Sequence, residues 1–112
     1  MGRDIFVSMF DKKYGKKFVD LCENLQLKKN LEVEDFLKAE FTNFHEPDLY
    51  FCKIINDDKD YPISFSVTVS KKTLQIKEFA LLDECALQPC ICKKEYFEEI
   101  TKIIDNLPIF EK

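Results

Sequence analysis

Three of the five cysteines lie close together in the pattern C-x4-C-x-C, formed by Cys85, Cys90 and Cys92. Structural zinc sites favour two pairs of ligands, each pair roughly two to four residues apart, that together complete a tetrahedron. Here a single irregular group is present, and the fourth ligand would have to come from another cysteine or from the histidine. The spacing therefore favours free thiols, and we predict no metal and no other cofactor.

A cysteine acts as a nucleophile when a neighbouring histidine or another positive charge lowers its pKa. His45 is the only histidine, and the sequence does not place it beside a thiol. It lies two residues before Pro47, where a helix is expected to end, and a partly cationic ring is favourable at that end of the helix dipole. We therefore predict no catalytic residue, with a thiol-dependent enzyme as an alternative.

Acidic residues are concentrated in short stretches, notably residues 56–60 (Asn-Asp-Asp-Lys-Asp) and the pair at 83–84. One such stretch is usually a solvated surface. Several around one small domain can form a face complementary to a basic partner, where charges raise the association rate and the specificity. We predict a partner-binding surface that consists of Asp57, Asp58, Asp60, Ser64, Ser66, Thr68, Asp83 and Glu84.

The segment Ile63–Ser70 alternates between apolar and hydroxyl-bearing residues along its whole length. Side chains of a strand point to opposite faces with a period of two, so this pattern predicts a strand with one apolar face and one polar face. We expect Ser64, Ser66 and Thr68 to be partly exposed on the polar face, where a partner could reach their hydroxyl groups.

The elements around this strand follow from periodicity and from helix-ending signals. The sequence predicts helices over Asp11–Gln26, about Glu32–Asn43 and Lys94–Asn106, and strands over Leu49–Ile55, Ile63–Ser70 and from Leu74 onward.

Local patterns give further expectations about single segments, and two segments keep alternatives. Residues 4–10 are compatible with an extension of the first helix or with a short strand at 5–8. The first long strand is nearly continuous in apolar residues, which predicts a central strand or one covered on both faces. A change in the phase of apolar residues predicts a bulge near Lys77–Glu78, and a short fourth strand is possible at Cys90–Lys93.

The predicted fold class is α+β. We expect an antiparallel sheet of three to four strands arranged as a meander, with two N-terminal helices and one C-terminal helix packed on one face. The 112 residues have a hydrophobic fraction of 46% and a charged fraction of 34%, which is typical of a globular chain. Because this length suits one hydrophobic core, residues 1–112 are predicted to form a single domain.

Composition also argues against several classes of function. The net charge is −4 and Arg3 is the only arginine, which argues against nucleic-acid binding. Two glycines are too few for a glycine-rich phosphate-binding loop. No apolar run approaches the roughly 18 residues that would span a bilayer, and Asp4 and Asp11 bracket the short apolar run at 5–10. We therefore expect a cytoplasmic protein that does not bind membranes.

With these classes set aside, the sequence favours a protein that binds another protein. The most concrete hypothesis is an immunity- or antitoxin-type inhibitor, monomeric or homodimeric, that neutralises a basic nuclease toxin by direct binding. The alternative in a different class is a secretion-chaperone-like or scaffolding subunit that dimerises or binds extended segments through its sheet.

Overall fold

The computed structural model describes residues 3–44 and 47–111, so the predictions that concern His45 lie outside the described residues. The elements in chain order are β1 (Asp4–Phe6), α1 (Lys12–Asn24), α2 (Val33–Lys38), β2 (Asp48–Ile54), β3 (Ile63–Ser70), β4 (Ile76–Asp83), β5 (Gln88–Pro89) and α3 (Lys94–Asn106). The predicted α+β class is confirmed.

The sheet is mixed, with the strand order β1-β4-β3-β2 and with β5 paired to β4. Strands β2, β3 and β4 are consecutive and antiparallel, whereas β1 runs parallel to β4. The predicted antiparallel meander is therefore present in β2, β3 and β4, whereas the prediction that the whole sheet is antiparallel is wrong because β1 is parallel. The predicted order of two helices before the first strand is also wrong, because β1 precedes α1. A long connection separates β1 from its parallel partner β4, as parallel pairing requires.

The position of β2 also differs from the prediction, because this strand lies at an edge of the sheet. Its apolar residues are divided between the two faces: Leu49 and Phe51 are buried in the core, whereas Cys52 and Ile54 are exposed. A continuous apolar run suggests that a strand is covered on both faces. In β2, however, one face packs against the core and apolar side chains of the other face remain exposed.

The bulge predicted near Lys77–Glu78 is confirmed. Thr68 of β3 pairs with Glu78 of β4, while the next residue, Val69, pairs with Ile76. Lys77 is thus the additional residue of β4, which bends the strand and restores its side chains to the core face. Its ammonium group forms a salt bridge with Asp48, at 3.1 Å, across the sheet.

The second helix is shorter than predicted and ends at Lys38 rather than near Asn43. Glu40 adopts a positive φ of 71°, which the right-handed helix does not allow. Thr42 then pairs with Tyr50 through two backbone hydrogen bonds, of 2.8 and 2.9 Å. The chain leaves the helix because these backbone groups pair with β2 instead of with the preceding turn.

The core is rich in phenylalanine and lies between the sheet and the helices. Phe18 of α1 meets Phe65 of β3 edge-on, with ring centroids 6.1 Å apart, an arrangement that aromatic pairs favour. Phe79 of β4 lies 6.5 Å from Phe110 in the C-terminal tail. Among the described residues, no helix combines the length and hydrophobicity needed to cross a bilayer.

Candidate partner-binding site

The acidic loop, residues 56–61, connects β2 to β3 and is held in shape by its own side chains. Asp58 Oδ1 accepts hydrogen bonds from the backbone N–H groups of Asp60 and Tyr61, at 3.0 and 3.2 Å. The Asn56 amide donates to the Tyr61 carbonyl at 2.9 Å and accepts from the Ile63 N–H at 2.8 Å. The exposed carboxylates are thus presented on an ordered loop.

The acidic turn, residues 83–87, begins at the last residue of β4 and is also ordered by its own hydrogen bonds. Asp83 Oδ1 accepts from the N–H groups of Cys85 and Ala86, at 3.0 and 3.2 Å. The Leu87 N–H donates to the Asp83 carbonyl at 2.8 Å, and Leu87 takes a positive φ of 53°. An aspartate that accepts from the N–H groups that follow it is a common turn-forming arrangement.

Three hydrogen bonds join the acidic loop and its neighbouring residues to the acidic turn. The Glu84 N–H donates to the Pro62 carbonyl at 3.0 Å. The Cys85 thiol donates to the Asp60 carbonyl at 3.0 Å, and the Ser64 hydroxyl donates to the Glu84 carboxylate at 2.8 Å. The structure therefore brings two acidic stretches, more than twenty residues apart in sequence, to the same end of the sheet.

Two of the predicted site residues are not available on the surface. The exposed fractions of Ser64 and Ser66 are 0% and 2%, so the expectation that their hydroxyls face solvent is wrong. Their short side chains lie in β3 between two neighbouring strands. Ser64 has Ile54 and Leu82 as register partners and also bonds to Glu84, and Ser66 lies between Cys52 and Ala80. Thr68 is half-buried and lies about 13 Å further along β3, away from the acidic loop.

An apolar groove of about 500 Å³ lies beside the acidic loop. We call it the aromatic groove, and its lining consists of Ser8, Phe10, Tyr61, Ile63, Asp83, Gln88, Pro89, Cys90, Ile91, Lys93 and Tyr96. Two of these aromatic side chains are strongly exposed, with fractions of 88% for Phe10 and 64% for Tyr61. The partner-binding surface predicted from the sequence did not include either residue.

A weak signal for both aromatic residues exists in the sequence. Phe10 directly precedes Asp11, whose side chain accepts from the Lys13 N–H and caps α1 at its N-terminus. A residue outside the cap is not part of the buried stripe of the helix. Tyr61 precedes a proline at the entry to β3, which is a position that commonly lies at the surface. Each signal alone is too general to identify a site.

Charges of both signs surround the aromatic groove. Burial raises the pKa of Tyr96; Lys93 opposes this shift, and Cys90, Glu95 and, to the smallest extent, Asp58 add to it. Burial likewise raises the pKa of Cys90, with Asp83 adding to the shift and Lys93 opposing it. Asp83 of the acidic turn and Tyr61 of the acidic loop both line the groove, so the two acidic segments border it.

Burial makes two of the cysteines poor nucleophiles. Burial raises the pKa of the Cys92 thiol to about 12 and the pKa of Cys22 beyond its usual range. Such thiols carry little of the nucleophilic thiolate near neutral pH. Across residues 3–44 and 47–111, no group of three or more His, Cys, Asp or Glu side chains is arranged to hold a metal ion.

Comparison of the chain with protein-family models, with curated proteins and with solved structures finds no match. The function is therefore argued from the geometry and the charge of the acidic loop, the acidic turn and the aromatic groove.

Proposed function

We propose that this protein is an immunity- or antitoxin-type inhibitor that binds and neutralises a basic protein, such as a nuclease toxin, in the cytoplasm. The observation that supports this proposal is the pairing of the acidic loop with the acidic turn at one end of the sheet. Five carboxylates, those of Asp57, Asp58, Asp60, Asp83 and Glu84, belong to these two segments.

The chemistry of such an inhibitor follows from the substrate of its partner. Nucleases hold the phosphate backbone of a nucleic acid with lysine and arginine side chains. Carboxylates placed opposite those cations would occupy the positions of the phosphates and exclude the substrate. Complementary charges also accelerate the encounter of the two proteins.

The order of the acidic loop adds to this argument. Binding is weakened when a loop must lose conformational freedom on forming the complex. Here the side chains of Asn56 and Asp58 already bond to the loop backbone, and the Cys85 thiol bonds to Asp60 from the neighbouring turn. The backbone of the acidic loop is thus ordered before a partner arrives, which favours tight and specific binding.

Co-expression tests this proposal. The products of the open reading frames next to the gene are expressed alone and together with this chain, and their effects on growth and on nuclease activity are measured. We expect one product to be toxic, to carry a basic domain, and to lose its nuclease activity in a 1:1 mixture with this protein. Neighbouring products that form no complex, or a complex that retains full nuclease activity, would contradict the proposal.

A scaffolding or secretion-chaperone-like subunit is the second candidate, and the sheet supplies the observation that favours it. Phe6 of β1 and Ile54 of β2 are exposed on the face of the sheet that carries Ser64 and Ser66. β2 is an edge strand, and because Tyr50 already pairs with Thr42, an extended segment could pair only beside the part of β2 that follows Tyr50. Light scattering separates the candidates: a stable dimer without any partner favours the scaffold, and a monomer favours the inhibitor.

A further inference from the structure

The aromatic groove has the composition of a site for an apolar side chain. Its floor includes Ile63, which is buried, and Cys90, which is half-buried. Phe10 and Tyr61 line the same groove and remain largely exposed. Large aromatic side chains close to a pocket are typical of the few residues that contribute most of the energy at a protein interface.

The segments next to the groove carry more negative than positive charge: the acidic loop and the acidic turn hold five carboxylates, against the ammonium groups of Lys59 in the loop and Lys93 in the groove lining. This balance favours a positively charged partner segment. Asp83 of the acidic turn lines the groove, and so does Tyr61, which directly follows Asp60 in the acidic loop. The Lys93 ammonium already lies over the Tyr96 ring, 5.7 Å from its centroid. A cation over an aromatic face is a favourable contact, so Lys93 already occupies this face of the Tyr96 ring, and the cations of a partner would pair with the carboxylates of the acidic loop and the acidic turn instead.

We propose that the aromatic groove accepts an aromatic or aliphatic anchor side chain from a basic segment of the partner. Lysine or arginine residues on both sides of the anchor would pair with the carboxylates of the acidic loop and the acidic turn. This inference rests on the proposed function and deepens it, because it names the chemistry of the segment that the protein recognises. Hydrophobic burial supplies the anchor's affinity, and the flanking charges supply orientation and specificity.

Synthetic peptides test the inference with the full chain. Three nine-residue probes are titrated into isotope-labelled protein: a basic peptide with a central Phe, the same peptide with a central Ser, and an acidic peptide with a central Phe. We expect the basic Phe peptide to shift the backbone amide signals of Phe10, Tyr61 and Cys90. The Ser peptide should bind at least ~10-fold more weakly, since the anchor is missing, and the acidic peptide should cause no shifts.

Variants of the protein locate the contact. Phe10→Ser and Tyr61→Ser should each weaken binding of the basic Phe peptide by at least ~5-fold. The matched control is Phe44→Ser, because Phe44 has a similar exposed fraction, 84%, and does not line the groove. It should leave binding unchanged. The spectrum of each variant reports whether the fold is retained, and the loss of binding in two independent variants guards against a local disturbance in either.

Three results would overturn the inference: equal binding of the Phe and Ser peptides, shifts that map outside the groove, or no shifts with any peptide. The outcomes for the two proposals are distinguishable. If a basic toxin is neutralised equally well by the protein and by its Phe10→Ser and Tyr61→Ser variants, the groove proposal fails and the inhibitor stands. If the basic Phe peptide binds in the groove and no neighbouring toxin is neutralised, the inhibitor proposal fails and the groove stands.

Discussion

The buried hydroxyl of Ser64 donates a hydrogen bond of 2.8 Å to the carboxylate of Glu84. This bond joins the central strand of the sheet to the acidic turn, where a second bond runs from the Glu84 N–H to the Pro62 carbonyl. The position of the acidic turn therefore depends on the interior of the sheet, although most of the turn is exposed.

Replacement of Ser64 by alanine should reduce the free energy of unfolding by about 1.5–3 kcal/mol, because it removes a hydrogen bond to a charged group. Urea denaturation measures the change. Thr101→Ala is the control, since its hydroxyl bonds to the Glu98 carbonyl on an exposed helix surface; its effect should stay within about 0.5 kcal/mol. Equal effects of the two substitutions would contradict a structural role for the Ser64–Glu84 bond.

Arg3 connects the N-terminal strand to the end of α1. Its guanidinium donates to the carbonyls of Cys22 and Leu25, at 2.9 and 2.7 Å, and lies 5.8 Å from the centroid of the Phe79 ring. These carbonyls belong to the last turn of the helix and its cap, where acceptors lack partners within the helix.

Arg3→Lys keeps the positive charge and should still lower the free energy of unfolding by about 1–2 kcal/mol, because an ammonium group cannot reproduce the planar fork of donors. Thermal or urea unfolding provides the measurement. An unchanged stability would show that charge alone accounts for the contribution of Arg3.

The thiols should react at very different rates with a thiol reagent at pH 8. Cys52 and Cys85 are exposed, whereas Cys22 and Cys92 are buried with raised pKa values. We expect the two exposed thiols to be labelled at least ~100-fold faster, because Cys22 and Cys92 are inaccessible and their raised pKa values leave them little thiolate. Mass spectrometry of the labelled peptides gives the order. Fast labelling of Cys92 would contradict it, and one cysteine far faster than every other would favour the thiol-dependent enzyme.

Glu78 makes stability depend on pH. Burial raises the pKa of its carboxyl above the usual value of 4.5, and Asp4, its register partner in β1, adds to the shift. The folded state therefore binds the proton more tightly than the unfolded state, so this contribution to stability is fully present below about pH 4.5 and is lost as the pH rises through the folded pKa.

The Glu78→Gln substitution removes the titrating carboxyl, so the variant does not lose stability as the pH rises. Its free energy of unfolding should exceed that of the unmodified protein at pH 7, and the difference should disappear below about pH 4. Asp4→Asn should give part of the same gain, since it removes the neighbouring negative charge. Denaturation curves between pH 4 and pH 8 test both variants, and a constant difference across that range would contradict the assignment to Glu78.

The elements with a clear period were predictable from the sequence. Ile63–Ser70 and Lys94–Asn106 have the predicted bounds, because each places apolar residues on one face over its full length. The sequence did not distinguish the short strand β1 from a helix, because three residues are too few to show the period of a strand or of a helix. Its pairing partner, β4, lies more than seventy residues later in the chain.

The candidate site was predictable only in part. The acidic stretches are visible in the sequence, and their proximity depends on the antiparallel pairing of β3 with β4. The aromatic groove could not be predicted, because Phe10, Tyr61, Cys90 and Tyr96 come from four separate segments. The burial of Ser64 could not be predicted from the alternating pattern of its strand. The pattern indicates the face on which a side chain lies, but it does not show that larger neighbours, Ile54 and Leu82, cover that side chain.

The central claim is that the carboxylates of the acidic loop bind a basic partner. The matched pair of variants is Asp57→Asn/Asp58→Asn/Asp60→Asn and Asp20→Asn/Glu23→Gln/Asp105→Asn. Both change the net charge equally, and the second alters exposed positions on α1 and α3. Asparagine at 58 retains an oxygen that can accept the loop hydrogen bonds.

The most direct measurement is calorimetric titration of the neighbouring gene's basic domain with both variants, at low and at moderate salt. We predict that the loop variant binds at least ~30-fold more weakly than the unmodified protein and loses most of its salt dependence, while the helix variant changes by less than ~3-fold. Equal affinities of the two variants would contradict the claim.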